Sequence, residues 1–370
     1  MNIFPPAGLY IHVPFCVCKC RYCDFYSFPA GEDLYDSYTE RVIEALGYYE
    51  KRYARRYNSL YFGGGTPLLL GEKRLGKIME RALPLLEPGS EITAEGNPAA
   101  AGEIDFAALR AAGINRLSFG LQSSNERELS ALGRIHSPKD AADTVAAAQK
   151  AGFDNISLDL MLGIPYQTEE TLKESVAFCA NLGVRHISAY MLKVEEGTPL
   201  ASSELRFLCA DEEKYADLYL LACGELESRG YKQYEISNFA KPGYKAVHNS
   251  AYWRRLPYTG LGAGAHSAVA GSDGVVEFRR WNPDDAEGYA STAGVEPESE
   301  KLNAEDIEVE EIMLALRTSA GICRNRVPEA AVSAMLDSGD LETLPGNRLR
   351  IPESRFFVSD AIIRDIVSNI

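Results

Sequence analysis

Ile11-His12-Val13-Pro14-Phe15-Cys16-Val17-Cys18-Lys19-Cys20-Arg21-Tyr22-Cys23-Asp24-Phe25 runs from an apolar strand pattern straight into a knot of four cysteines. The spacing Cys16-x3-Cys20-x2-Cys23 puts three thiolates on one short loop that can wrap a cubane [4Fe–4S] cluster. Three protein thiolates satisfy three irons and leave the fourth with an exchangeable position. An open iron lets a cluster bind a small molecule and pass it an electron directly, whereas a fully ligated cluster only relays electrons. Structural zinc competes with this reading. It needs four ligands in a tetrahedron, usually offered as two separated pairs. No second pair lies elsewhere in the chain, so the cluster reading is preferred. Cys18 is an alternative fourth ligand, but between two others on an extended segment it is expected to point the opposite way.

The remaining cysteines, Cys179, Cys209, Cys223 and Cys323, are scattered and read as small buried hydrophobes. A disulfide framework would spread its cysteines to staple distant loops. Local clustering reads instead as metal binding in a reducing compartment. Met1-Asn2-Ile3 leads almost directly into a strand, so no signal peptide is expected. No apolar stretch approaches the length of a membrane span, and a cytoplasmic protein is the expectation.

Outward from the cysteines, short apolar strands alternate with helical stretches. Strands are expected at Leu9–Val13, Leu60–Phe62, Glu91–Glu95, Arg116–Gln122, Asn155–Leu162 and His186–Leu192. Helices are expected around Leu34–Arg56 and Lys73–Leu86, with helical pattern after each later strand. Six βα units imply a parallel sheet, as a closed or partial barrel or a doubly wound layer. Glycines and polar residues cluster just past the strands: Gly63–Pro67, Glu95-Gly96-Asn97-Pro98, Gln122, Asp159 and Tyr190. One shared site at the C-terminal strand ends accounts for that clustering, and it favours the barrel.

After Gly230 the chain becomes aromatic, Gly-rich and loop-like to about Asn282, and Pro283–Ser299 reads as a linker or long surface loop. From Ala304 a small C-terminal unit of helix-helix-wing type is expected, closing with Leu349–Ile351 and the helix Val358–Val367. The division is therefore 1–230 for the barrel with its cysteine loop, 231–300 for an extension, and 301–370 for the C-terminal unit. At 370 residues, two or three domains are the prior. A net charge of −15 argues against nucleic-acid binding and against acidic surfaces. The basic run Lys51–Arg56 reads as a solvated helix face.

The polar residues carry plain readings beside the functional ones. Gly63-Gly64-Gly65-Thr66-Pro67 follows a strand without a Walker lysine, so it is either a tight turn or a place where backbone approaches a ligand. Glu95 and Asp159 could accept from ribose or amino groups, and alone would as readily be helix caps. Gln122 offers both donor and acceptors. Arg134 could pair a carboxylate or simply sit on the surface. Tyr10 and Tyr190 are by default core residues with a polar tip. His12 is expected to hydrogen-bond near the site. His248, heading His248-Asn249-Ser250-Ala251-Tyr252-Trp253, is either a haem ligand among aromatic neighbours or a satisfied structural histidine.

Taken together, the cysteine stretch, Gly63–Pro67, Glu95–Pro98, Gly120-Leu121-Gln122-Ser123, Asp159…Gly163-Ile164-Pro165, Tyr234-Glu235-Ile236-Ser237-Asn238-Phe239-Ala240, His248–Trp253 and Gly262-Ala263-Gly264-Ala265-His266-Ser267 resemble the radical S-adenosylmethionine superfamily. Within it the resemblance is to the branch of oxygen-independent coproporphyrinogen III oxidase and its relatives. It implies an α/β fold: a partial (β/α)6 radical-SAM barrel, a C-terminal mixed extension and a small winged-helix-like unit. It implies a [4Fe–4S] cluster on Cys16, Cys20 and Cys23, and S-adenosylmethionine held by Tyr10, Gly64, Gly65, Thr66, Glu95, Gln122, Arg134 and Asp159. In the oxidases the motif continues to a further cysteine two residues on, where this chain has Phe25, and the oxidases carry an N-terminal extension. Those departures make the chain more similar to the HemW-type haem chaperones. That branch implies haem b as cargo, with His248 as its ligand, delivery to respiratory acceptor proteins, and a homodimer. The alternative function is radical oxidative decarboxylation of coproporphyrinogen III.

Overall fold

The computed structural model describes residues 7–52, 56–99, 104–291 and 297–368. Six strands pair in sequence order: β1 (Gly8–Val13), β2 (Tyr57–Gly64), β3 (Leu86–Gly96), β4 (Arg116–Gln122), β5 (Asn155–Leu162) and β6 (His186–Met191). All five pairings among them are parallel, each connected through helix, as expected for βα units. Helix Glu32–Arg52 follows β1, Gly71–Ala82 follows β2, and Glu169–Asn181 follows β5.

The strands are two-faced. Leu9, Ile11, Leu60, Phe62, Ile92, Leu117, Phe119, Ile156, Leu158 and Ile187 lie on one face and form the main buried core with the helices. The intervening positions are polar or small, and the register lines them up: Tyr10 beside Tyr61, Tyr61 beside Thr93, Glu95 beside Ser118, Gly120 beside Asp159. A parallel strand covered by helices on both faces would read as a continuous apolar run. Alternation here marks a second face that is lined with polar groups instead.

The stretch after Gly230 differs from the loop-like texture expected of it. Two strands extend the sheet beyond β6: β8 (Asn238–Ala240) pairs antiparallel to β6, and β7 (Lys232–Gln233) pairs antiparallel to β8. At the opposite edge β9 (Tyr258–Leu261) pairs parallel to β1. Beyond it come β10 (His266–Ala270), β11 (Val276–Trp281) and β12 (Glu298–Lys301), giving a twelve-stranded sheet. Pro283–Ser299, expected as a linker or loop, contains the helix Ala286–Ser291 and the start of β12, while 292–296 lie outside the described residues. Strands this short carry little local signal and form because two ready edges template them.

The C-terminal residues form helices Ala304–Ala315, Glu329–Asp337 and Ser359–Val367 around a small antiparallel sheet of Ile322–Cys323, Glu342–Leu344 and Arg348–Arg350. That is the helix-helix-wing arrangement. Of the scattered cysteines Cys179 is fully buried, whereas Cys323 is exposed. Side chains of the basic run 51–55 lie outside the described residues. No helix among the described residues is long and apolar enough to cross a membrane.

Candidate functional site

At the C-terminal ends of the parallel strands a cavity of about 460 Å³ opens on the polar face. Its lining brings together Cys16, Cys18, Cys20 and Cys23 from the loop after β1, and Gly64, Gly65 and Thr66 after β2. Glu95, Gln122, Asp159 and Tyr190 enter from the ends of β3, β4, β5 and β6, and Arg134 from the segment after the helix Glu126–Leu132.

Two of the four sulfurs have hydrogen-bond partners. The Thr66 hydroxyl lies 3.7 Å from Cys16 Sγ. Arg134 Nη1 donates to Cys20 Sγ at 3.4 Å. Burial pushes the Cys23 thiol up, which deprotonation by a bound cation would reverse. Among the described residues no three His, Cys, Asp or Glu side chains converge closely enough to hold a single ion. Tetrahedral zinc needs four donors at about 2.3 Å from one centre. A cubane seats each thiolate on its own iron, so a wider spread of sulfurs fits it.

Gly64 and Gly65 bring the backbone against the cysteine loop. Gly65 N donates to Val13 O at 2.8 Å and Thr66 N to Phe15 O at 2.7 Å. A Cβ on Gly65 would stand 2.5 Å from Phe15 O, and Gly64 has φ of 110°. Both positions need glycine. Gln122 takes φ of 70° at the end of β4, a conformation uncommon for a side-chain-bearing residue, and it carries the amide into the cavity.

The two carboxylates are buried. Tyr61 donates to Glu95 Oε1 at 2.5 Å, and Ser118 donates to Asp159 Oδ1 at 3.5 Å. Burial, with the Asp159 charge beside it, pushes Glu95 up to about 7, and burial raises Asp159 as well. Against them stands Arg134, whose Nη2 donates to Gly120 O while its Nε is buried with no partner. A ligand that brings both a cation and a carboxylate would be matched by this set.

Residues 10–179 match the model of the radical SAM superfamily. Over 98% of this chain and 95% of the relative, the sequence is 35% identical to the protein called heme chaperone HemW in Mycobacterium tuberculosis (strain ATCC 25618 / H37Rv). This chain belongs to the HemW family of radical SAM proteins. The Bacillus subtilis (strain 168) relative of the same name is 34% identical over 86% of each chain. In fold, the chain is similar to coproporphyrinogen III oxidase (HemN) from Escherichia coli, with a TM-score of 0.82 over all of this chain and 92% of that one, at 17% identity.

In this HemW-family chain two of the residues picked out from sequence stand apart from the cavity. Tyr10 does not line it: its hydroxyl bonds His12 Nδ1 at 3.0 Å, and His12 Nε2 bonds Tyr26 O at 3.0 Å. His248 lies on the helix Val247–Trp253, which packs on the polar face by Ser59 and Glu91 near the other strand ends. Its Nδ1 meets Ser59 Oγ at 2.9 Å, its Nε2 meets Tyr252 Oη at 2.8 Å, and it is 1% exposed. Both ring nitrogens are committed inside the core. Burial depresses it to about 3, so it is neutral.

Cys18 departs from its expected orientation. It is half-buried and lines the cavity with Cys16 and Cys20, whereas Val17 and Lys19, at the same cavity, are exposed. Alternation along an extended segment puts positions two apart on the same side, not opposite sides. Sequence reading passed over Ser118 and Tyr61, which orient the carboxylates. Their signal was position: each lies on the polar set of alternating residues in its strand.

Glu95 makes the site's charge a stability variable. The folded chain holds a proton that the unfolded carboxyl releases near its ordinary 4.5. The associated stability is complete below that value and is lost as pH rises through about 7. It amounts to roughly 3 kcal/mol at most. Glu95→Gln, neutral at every pH, should flatten the fall in urea midpoint between about pH 5 and about pH 8. Glu235, also raised to about 7 by burial, supplies a parallel component that the variant retains. A wild-type slope in Glu95→Gln would place the buried proton elsewhere.

Proposed function

We propose that this chain is a haem-binding chaperone that carries a [4Fe–4S] cluster on Cys16, Cys20 and Cys23 with S-adenosylmethionine beside it, and that it delivers haem b to respiratory acceptor proteins from the cytoplasm. The observation that carries the reading is identity of 35% over nearly the whole length of a heme chaperone HemW. Phe25 supports it, because the oxidase motif has a cysteine at that place, and here a 64% exposed aromatic ring stands at the cavity mouth.

The donor set fits both groups. The thiols of Cys16, Cys20 and Cys23 would ligate three irons. Glu95 and Asp159 would accept from ribose and amino groups, Arg134 would pair the methionine carboxylate, and Gly64–Thr66 would offer backbone beside it. The cofactor supplies one-electron chemistry when bound, and the chain's part is position and charge. As a function of the whole chain we also propose the homodimer and the division near residues 230 and 300.

Haem is placed at the cavity mouth, where Val17, Phe25 and Ile135 are all more than half exposed. Large apolar side chains left in water beside a polar cavity suit a flat apolar macrocycle with polar edges. Haem titration of the reconstituted full chain, read in the Soret band, tests this. Phe25→Asp with Ile135→Asp should weaken haem roughly tenfold or more, given the apolar burial such side chains contribute. His248→Ala should leave haem affinity within about twofold while lowering stability by about 2 kcal/mol through its orphaned partners. The reverse pattern would restore His248 as the ligand. Turnover of a porphyrinogen to a decarboxylated product would replace the chaperone by the oxidase.

A further inference from the structure

The fourth thiol of the loop has no part in the three-ligand arrangement, yet it lines the same cavity. Cys16 and Cys20, on either side of it in the loop, meet hydrogen-bond partners, Thr66 Oγ1 and Arg134 Nη1. Among the described residues Cys18 Sγ has no hydrogen-bond partner, and it is not in a disulfide. Of its neighbours, Val17 is 55% exposed, and Lys19 donates to Phe25 O at 2.9 Å. Donors to a metal-binding sulfur set its orientation in advance. Cys16 and Cys20 are thus positioned, and Cys18 between them is left to swing. Two residues from Cys16 and two from Cys20, its Cα is tethered within about 7 Å of each.

Resting on the cluster reading above, we propose that Cys18 is an exchangeable ligand of the fourth iron, bound when S-adenosylmethionine is absent and displaced when its methionine amino and carboxylate groups take that iron. On binding, the Cys18 thiol gives its proton to solvent and forms one S–Fe bond. On displacement that bond breaks and the thiolate takes a proton back. No electron moves in either direction. The consequence is a cluster whose labile corner is closed whenever the nucleoside site is empty.

Controlled oxidation reads this directly. With one equivalent of ferricyanide, an open corner loses Fe²⁺ and one electron passes to the oxidant, turning [4Fe–4S]²⁺ into [3Fe–4S]⁺, which has its own electron paramagnetic resonance signal. The full-length chain is reconstituted anaerobically, and iron and labile sulfide are counted before oxidation. Without S-adenosylmethionine, Cys18→Ala should give on the order of fivefold more [3Fe–4S]⁺ than wild type, since its fourth iron lacks a protein ligand. With saturating S-adenosylmethionine the two should match. Equal yields without the nucleoside, at a full complement of iron and sulfide, would overturn the role of Cys18 alone. A gap that persists with the nucleoside bound would overturn the exchange. Wild type without labile sulfide would overturn the cluster reading and this inference together.

Discussion

Alanine at Cys16, Cys20 or Cys23 is expected to reduce bound iron from about four per chain to less than about one after reconstitution. Each thiolate would seat on its own iron, and Cys16 and Cys20 have different partners, Thr66 and Arg134, so none can be replaced by a small shift of another. Folding should survive. The loop side chains are half-buried rather than core, and substitutions away from core features usually move stability by no more than about 0.5 kcal/mol. Iron and sulfide analysis beside a thermal melt separates the two effects. Full iron in any of the three variants would remove that cysteine from the ligand set. A collapsed melt would show instead that the thiol is structural.

The second large effect lies where no ligand residue is changed. Gly65→Ala places a methyl group 2.5 Å from Phe15 O and 2.9 Å from Phe15 N, atoms of backbone that no rotamer change can relieve. The contact sits between two hydrogen bonds that clamp the β2 turn to the cysteine loop, Gly65 to Val13 and Thr66 to Phe15. Relieving the clash pushes that loop away and carries Cys16 with it. A stability loss of about 3 kcal/mol is expected, at the upper end of overpacking costs. Cluster loading and S-adenosylmethionine affinity should fall with it, the latter more than about tenfold. Gly76→Ala is the control: it lies in the helix Gly71–Ala82, with nothing within 4 Å of a new Cβ. That change should stabilise by about 0.5–1 kcal/mol through helix propensity. Equal melts for Gly65→Ala and wild type would mean that the clamp is not rigid.

Much of this architecture was legible beforehand because it is local. The strands Arg116–Gln122 and Asn155–Leu162 have the bounds read from their own residues. Clustering of Gly64, Glu95, Gln122 and Asp159 in the C-terminal parts of their strands follows from parallel topology, which sends every C-terminal strand end to one side. The misreadings are of a different kind. β9 to β12 form on an edge that β1 supplies from far away in the chain, and nothing within Tyr258–Leu261 announces that edge. His248 looked like a ligand because its partners Ser59 and Glu91 lie more than 150 residues away, and only folding brings them to it. Tyr10 lies outside the cavity lining, its hydroxyl paired locally with His12 Nδ1.

Alone, the sequence determined the cysteine loop, the six βα units, and the set of residues gathered at the strand ends. These depend on spacing and on period-two patterning, both of which are properties of neighbouring residues. Tertiary structure alone decided which polar side chains are free to meet a ligand. His248 was removed from that set and Cys18 added to it. The reason is that a buried donor or acceptor must be paired, and its partner is chosen by the packing of distant segments. Spacing can place a thiol or an imidazole on a strand, loop or helix; only the fold determines whether its hydrogen-bonding capacity is already spent.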